Sequence, residues 1–254
     1  MCFPPDAVPP VPPLRGASID HRDLVLTAAD GTDFAAFEAT AEDAARPGVI
    51  VLPDVRGLFR FYEELALRFA ERGYDTIAID YFGRTAGVAK RDHDWDYGPH
   101  VEQVTHDGLK ADVAAAAARL RADDPDRELF TVGFCFGGSN SWHQAANGLG
   151  LSGAIGFYGH PGRPDRPKGA AAVTDRVGAI ECPLLVLMAG LDEAIMAAVP
   201  DFEAALHHAG VTYELVTYDD APHSFFDRSF EQHAAASADA WDRVLGFIAE
   251  HSES

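Results

Sequence analysis

The chain is poor in cysteine, in positive charge and in long apolar runs. Three cysteines, Cys2, Cys135 and Cys182, occur in 254 residues. An odd count without paired spacing argues against a disulfide framework and fits a reducing, cytoplasmic setting. No CxxC or Cys/His ligand spacing is present, which argues against a structural zinc site. Lys and Arg total 20 against 40 Asp and Glu, a formal charge of −20. A nucleic-acid partner needs a basic face and is therefore not expected. The acidity reads as a solubility device that also weakly repels anions. No apolar run approaches the length that spans a bilayer, so no membrane partner is expected. The start, Met1-Cys2-Phe3-Pro4-Pro5, lacks a basic segment followed by an apolar stretch, so no secretory signal is expected.

What the chain does have is alternation. A proline-rich arm over residues 1–13 reads as extended and without a core of its own. Leu24-Val25-Leu26 and Phe34-Ala35-Ala36-Phe37 flank Asp30-Gly31, a hairpin signal. Gly48 to Pro53 is a buried strand ending in a breaker. Tyr62 to Arg72 carries Leu65, Ala66, Phe69 and Ala70 on one helical face and stops at Gly73. Further strands are expected at 76–80, 129–133, 154–158, 184–188 and 213–218. Helices are expected at 101–121, 138–147, 202–209 and 234–249. Strand–helix alternation implies a mostly parallel sheet covered on both faces, an α/β fold in one domain over 1–254. The charged, aperiodic stretch 83–100 reads as a loop that covers a site.

Gly133-Phe134-Cys135-Phe136-Gly137-Gly138 follows an apolar strand and precedes a helix. This is the nucleophile-elbow pattern, with cysteine in place of serine. The elbow strains its central residue, and side chains at the flanking glycines would clash. Helix N-terminal placement favours negative charge, so a lowered thiol pKa is expected for Cys135. The competing reading is a small buried hydrophobe. Two partners follow in the required order, nucleophile, acid, histidine. Asp192 ends Met188-Ala189-Gly190-Leu191-Asp192, and His223 lies in Asp220-Ala221-Pro222-His223-Ser224-Phe225. Both fall just beyond strands, where open α/β sheets bind ligands. His223 would move the proton of Cys135 and Asp192 would orient the imidazole. Asp192 also reads as a helix cap, and Glu193 competes for its role. The backbone N–H groups of Phe136 and Val55 are the oxyanion candidates.

These pieces, with Asp80-Tyr81-Phe82-Gly83-Arg84, resemble the dienelactone hydrolase family over nearly the whole chain. The resemblance implies an α/β-hydrolase fold, a Cys–His–Asp triad, and no metal or organic cofactor. It implies hydrolysis of a small ester or lactone through a thioester. For the oligomeric state the sequence leaves a monomer and a homodimer both open. The resemblance also implies that an acid near the oxyanion loop interacts with the resting cysteine. Asp54 matches that position, where better-known members carry Glu. Arg84 matches an arginine that binds a substrate carboxylate. Asp227 stands where a second such arginine is found; the swap from arginine to carboxylate would repel an anionic substrate, unless Arg228, one residue later, binds it instead.

Other candidates are weighed from the residues alone. Arg56 either reaches the pocket or pairs with Asp54. Tyr81, Phe82, Trp95 and Tyr158 are candidates for an aromatic lining, against a core role. His93-Asp94-Trp95-Asp96, with His100 and His106, has no recognised metal-site spacing and reads as a solvated loop. A non-enzymatic alternative remains, a hydrolase fold that senses or binds through a reactive thiol.

Overall fold

The computed structural model describes residues 7–42, 47–91 and 94–252. Cys2, the first residues of the arm, and His93 lie outside them. Within the arm, Val11 is buried against the main apolar cluster.

Among the described residues eight strands form one sheet: β1 (Ile19–Thr27), β2 (Asp33–Ala41), β3 (Gly48–Leu52), β4 (Thr76–Ile79), β5 (Leu129–Phe134), β6 (Gly153–Phe157), β7 (Leu184–Ala189) and β8 (Tyr213–Tyr218). Their spatial order is β1-β2-β4-β3-β5-β6-β7-β8. The pairs β1/β2 and β2/β4 are antiparallel, and every pairing from β4 to β8 is parallel. The hairpin closes as the Asp-Gly signal implies, with Gly31 at φ 81° and the Ala28 N–H donating to Thr32 O at 2.8 Å. The parallel strands β3 to β7 are buried end to end, which is why they read as unbroken apolar runs.

Helices cover both faces. On one lie α1 (Arg60–Ala70) and, at the chain's end, α8 (Ala234–Glu250). There Phe61, Leu65, Phe69, Trp241 and Val244 pack with Val49, Val51, Val132 and Ile155. The alternate residues Ile50, Leu52, Ile77 and Ile79 face α4 (His106–Leu120), through Leu109, Val113 and Ala116. On that second face, Trp142 of α5 (Phe136–Ala145) and Phe202 and Leu206 of α7 (Val199–Ala209) pack on Leu184, Val186 and Met188. Each such fully buried side chain contributes about 1.5–3 kcal/mol of transfer free energy. Helix α1 stops where glycine permits a turn. Gly73, at φ 89°, donates its N–H to Ala70 O at 2.9 Å.

Two expectations are corrected. The helix expected over 101–121 is broken: α3 (Gly98–Val101) ends first, and α4 starts at His106. Thr105 caps α4, its Oγ1 accepting the Gly108 N–H at 3.1 Å, and Asp107 adds charge in the first turn. The turn before it is held by a distant segment, since Lys168 donates to Val104 O and accepts from the His106 N–H, both at 2.9 Å. The second correction concerns residues 83–100. The described residues of this stretch include α2 (Gly83–Ala86) and α3 and are half-buried or exposed. Arg91 forms a buried ion pair with Asp80 at 2.6 Å and stacks on Trp95 at 4.7 Å. None of these residues lines the cavity described next.

Candidate active site

At the carboxyl ends of β5, β6 and β7 lies a cavity of about 230 Å³. Its walls include Val55, Cys135, Phe136, Tyr158, His160, Arg163, Arg166, Asp192 and His223.

Cys135 stands between β5 and α5 with φ 55° and ψ −110°, a conformation L-residues rarely adopt. The glycines around it are required by contact. A Cβ on Gly133 would overlap Gly137 O, and one on Gly137 would overlap the carbonyl oxygens of Leu52 and Pro53. A Cβ on Gly138 would overlap Phe157 O. The turn is pinned by the Cys135 N–H donating to Phe157 O at 3.0 Å and the Gly138 N–H donating to Cys135 O at 3.0 Å. Backbone and strain thus force the thiol to the top of the sheet.

His223 Nδ1 and Asp192 Oδ2 are 2.7 Å apart. Asp192 serves twice, because its Oδ1 accepts the Ile195 N–H at 3.3 Å and caps the short helix α6 (Glu193–Met196). The two readings of Asp192 are therefore both realised. Glu193 is exposed and does not line the cavity. With a carboxylate at Nδ1, that nitrogen carries the proton and Nε2 is left as the acceptor.

The thiol's electrostatics reverse the sequence expectation. Burial and the Asp54 carboxylate raise the Cys135 pKa to about 12, against a smaller lowering from the Phe136 N–H. Desolvation of a thiolate and a neighbouring negative charge outweigh the helix terminus. The resting residue is a neutral thiol.

Beneath it lies a buried polar cluster. Arg56 is committed to Asp54, its Nη2 donating to Oδ2 at 2.8 Å and its backbone N–H to Oδ1 at 2.9 Å. Of its two readings, the ion pair holds. Asp227 accepts from Tyr158 Oη at 3.0 Å and from the Arg228 N–H. Burial first, then the Asp54 charge, raises its pKa to about 7. Tyr158 lines the cavity with its ring 4.9 Å from that of His223.

The remaining candidates fall elsewhere. Tyr81 is buried behind Phe136, donating its hydroxyl to Pro53 O at 2.6 Å. Phe82 and Trp95 pack with their rings tilted and the centroids 4.8 Å apart, outside the cavity. Arg84 does not line it either, since its guanidinium bonds Asp112 at 2.8 Å and Asp30 at 2.9 Å. Arg228 is exposed and absent from the lining. Sequence reasoning missed His160, Arg163 and Arg166. They sit in an aperiodic Pro/Gly segment, where position rather than pattern decides their role. Among the described residues no group of three or more His, Cys, Asp or Glu could hold a metal ion, and no helix is long and apolar enough to cross a membrane.

The sheet order, the elbow and the acid and histidine beyond later strands define an α/β-hydrolase. The dienelactone hydrolase family model matches residues 34–252, and the chain belongs to that family. It is thus a hydrolase of the ester- and lactone-cleaving kind. A carboxymethylenebutenolidase of Rhodococcus opacus is 26% identical over 262 residues, covering 98% of this chain and 96% of that one. A Salmonella typhi protein provisionally named a carboxymethylenebutenolidase is 29% identical over 261 residues, covering 96% and 94%. A crystal structure from Klebsiella pneumoniae, provisionally named a dienelactone hydrolase, superposes with a TM-score of 0.79 at 27% identity, covering 91% of this chain and 99% of that one.

Proposed function

We propose that the chain cleaves a small ester or lactone by cysteine nucleophilic catalysis, with Cys135 as nucleophile, His223 as base and acid, and Asp192 as the orienting carboxylate. One observation carries this reading: the strained elbow thiol and the Asp192-bound imidazole open into one cavity. In attack, Sγ bonds to the carbonyl carbon while the thiol proton passes to His223 Nε2. The carbonyl electron pair moves to oxygen, and the N–H groups of Phe136 and Val55, both at the cavity wall, receive the oxyanion. Collapse expels the alcohol oxygen, which takes the proton from His223 and leaves a thioester. Water then attacks with His223 as base, and the departing sulfur is reprotonated.

A neutral resting thiol fits this scheme. The proton leaves only when substrate is present to be attacked, and off-target oxidation is slow. It also disfavours the thiol-sensor alternative, since peroxide reacts with thiolate. Burial first, and then the Asp54 charge, keeps the thiol protonated, and Arg56 holds Asp54 in place. Cys135→Ala, assayed on 4-nitrophenyl acetate, is expected to lose about 10³-fold or more in kcat/KM. Turnover equal to that of the parent chain would refute the scheme.

A further inference from the structure

We infer that Arg163 and Arg166, on the segment between β6 and β7, select substrates carrying a carboxylate and bind that group at the cavity mouth. This rests on the hydrolase reading of the same cavity and assigns its specificity to residues outside the resemblance. Both arginines line the cavity that holds Cys135 and His223. Arg166 lies over the Phe136 ring, its guanidinium carbon 5.8 Å from the centroid, and its charge reaches the thiol. Arg163 acts electrostatically on His160, on the same wall.

Their charges are uncommitted. Among the described residues, neither guanidinium is paired with a carboxylate. The acid between them, Asp165, accepts the Gly169 N–H at 3.1 Å and forms no ion pair with either. Most other arginines near strand ends are taken. Arg56 bonds Asp54, Arg84 bonds Asp30 and Asp112, and Arg91 bonds Asp80. In a chain of charge −20, two free guanidiniums at one opening form a local positive focus for an anion.

The segment is also held in shape. Besides the two Lys168 bonds to the turn before α4, the Asp165 N–H donates to Ala170 O at 2.8 Å and the Thr174 N–H to Pro161 O at 3.2 Å. Arginines on a fixed backbone lose less entropy on binding than arginines on a loose loop. Asp227 is 2% exposed, accepts from the Tyr158 hydroxyl and lies outside the lining, whereas both arginines line the cavity.

The test compares 4-nitrophenyl hemiadipate with 4-nitrophenyl hexanoate, matched in length and differing in terminal charge. The readout is the ratio of their kcat/KM values. Arg166→Gln and Arg163→Gln are each expected to lower the ratio about tenfold, mainly through the KM of the anionic ester. Arg166→Lys should recover part of it, and Arg243→Gln, at a remote surface pair, should leave it unchanged. A ratio unmoved in the double variant Arg163→Gln/Arg166→Gln, with both esters still cleaved, overturns the inference and spares the hydrolase reading. If the parent chain cleaves neither ester, the hydrolase reading fails, and calorimetric titration with adipate decides the arginines. Binding abolished in the double variant supports them, and binding undiminished overturns them.

Discussion

Asp192 and His223 are joined at 2.7 Å by one carboxylate oxygen, while the other oxygen of Asp192 caps the helix that follows. The same side chain therefore orients the proposed base and fixes the backbone that presents it. The two jobs separate by substitution. Asn caps a helix about as well as Asp but cannot hold the imidazole tautomer as a carboxylate does. Asp192→Asn should lose about 10³–10⁴-fold in kcat while its unfolding midpoint barely moves. Asp192→Ala should lose activity and also about 1 kcal/mol of stability in urea. Equal stability loss in both variants would show that the cap is not the carboxylate's second role.

Asp227 gives a pH signature. Its raised pKa of about 7 lies above the unfolded value, so the folded chain holds a proton that the unfolded chain releases. The stability from this group is present at low pH and declines as pH rises from about 4 towards 7. Ionised Asp227 also adds a charge that raises the Cys135 thiol further. Activity should therefore show a loss above about pH 7 that Asp227→Asn removes, the amide still accepting from Tyr158. Profiles of kcat/KM and urea midpoints between pH 4 and 9 check both halves.

Arg56 and Asp54 are both largely buried, with side chains 5% and 12% exposed. Removing one partner of such a pair leaves the other charge unpaired. Arg56→Gln should cost about 3 kcal/mol. It should also slow alkylation of Cys135 by iodoacetamide, because Asp54 would act on the thiol unneutralised. Faster alkylation would contradict the electrostatic account of the resting thiol.

Gly137→Ala puts a methyl group into the Leu52 and Pro53 carbonyl oxygens. Backbone cannot yield as a flexible side chain can, so about 2–4 kcal/mol of stability should be lost in urea. Gly178→Ala, in open space, serves as the control.

Most of the fold was legible because β3 to β7 are buried on both faces and so carry continuous apolar sequence. The elbow was legible for a steric reason, since three backbone contacts exclude any side chain at Gly133, Gly137 and Gly138. Asp192 and His223 were found through chain order and strand ends. The break at Thr105 was not found, because apolar periodicity runs on through it and the turn is held by Lys168, far along the chain. The direction of the thiol's shift was hidden too. Local sequence gives the helix terminus, but only packing shows the burial of the thiol and the Asp54 charge that acts on it. Arg163 and Arg166 look like surface charge until the segment's anchors bring them to the cavity.

The central claim is that Cys135 carries the acyl group during turnover. Intact-protein and peptide mass spectrometry of acid-quenched reactions with 4-nitrophenyl acetate tests it most directly. The account predicts one acetyl group per chain, on the peptide bearing Cys135, absent in Cys135→Ala and longer-lived in His223→Gln. Hydrolysis that continues in Cys135→Ala, with no acyl group on Cys135 in the parent chain at any quench time, would contradict it.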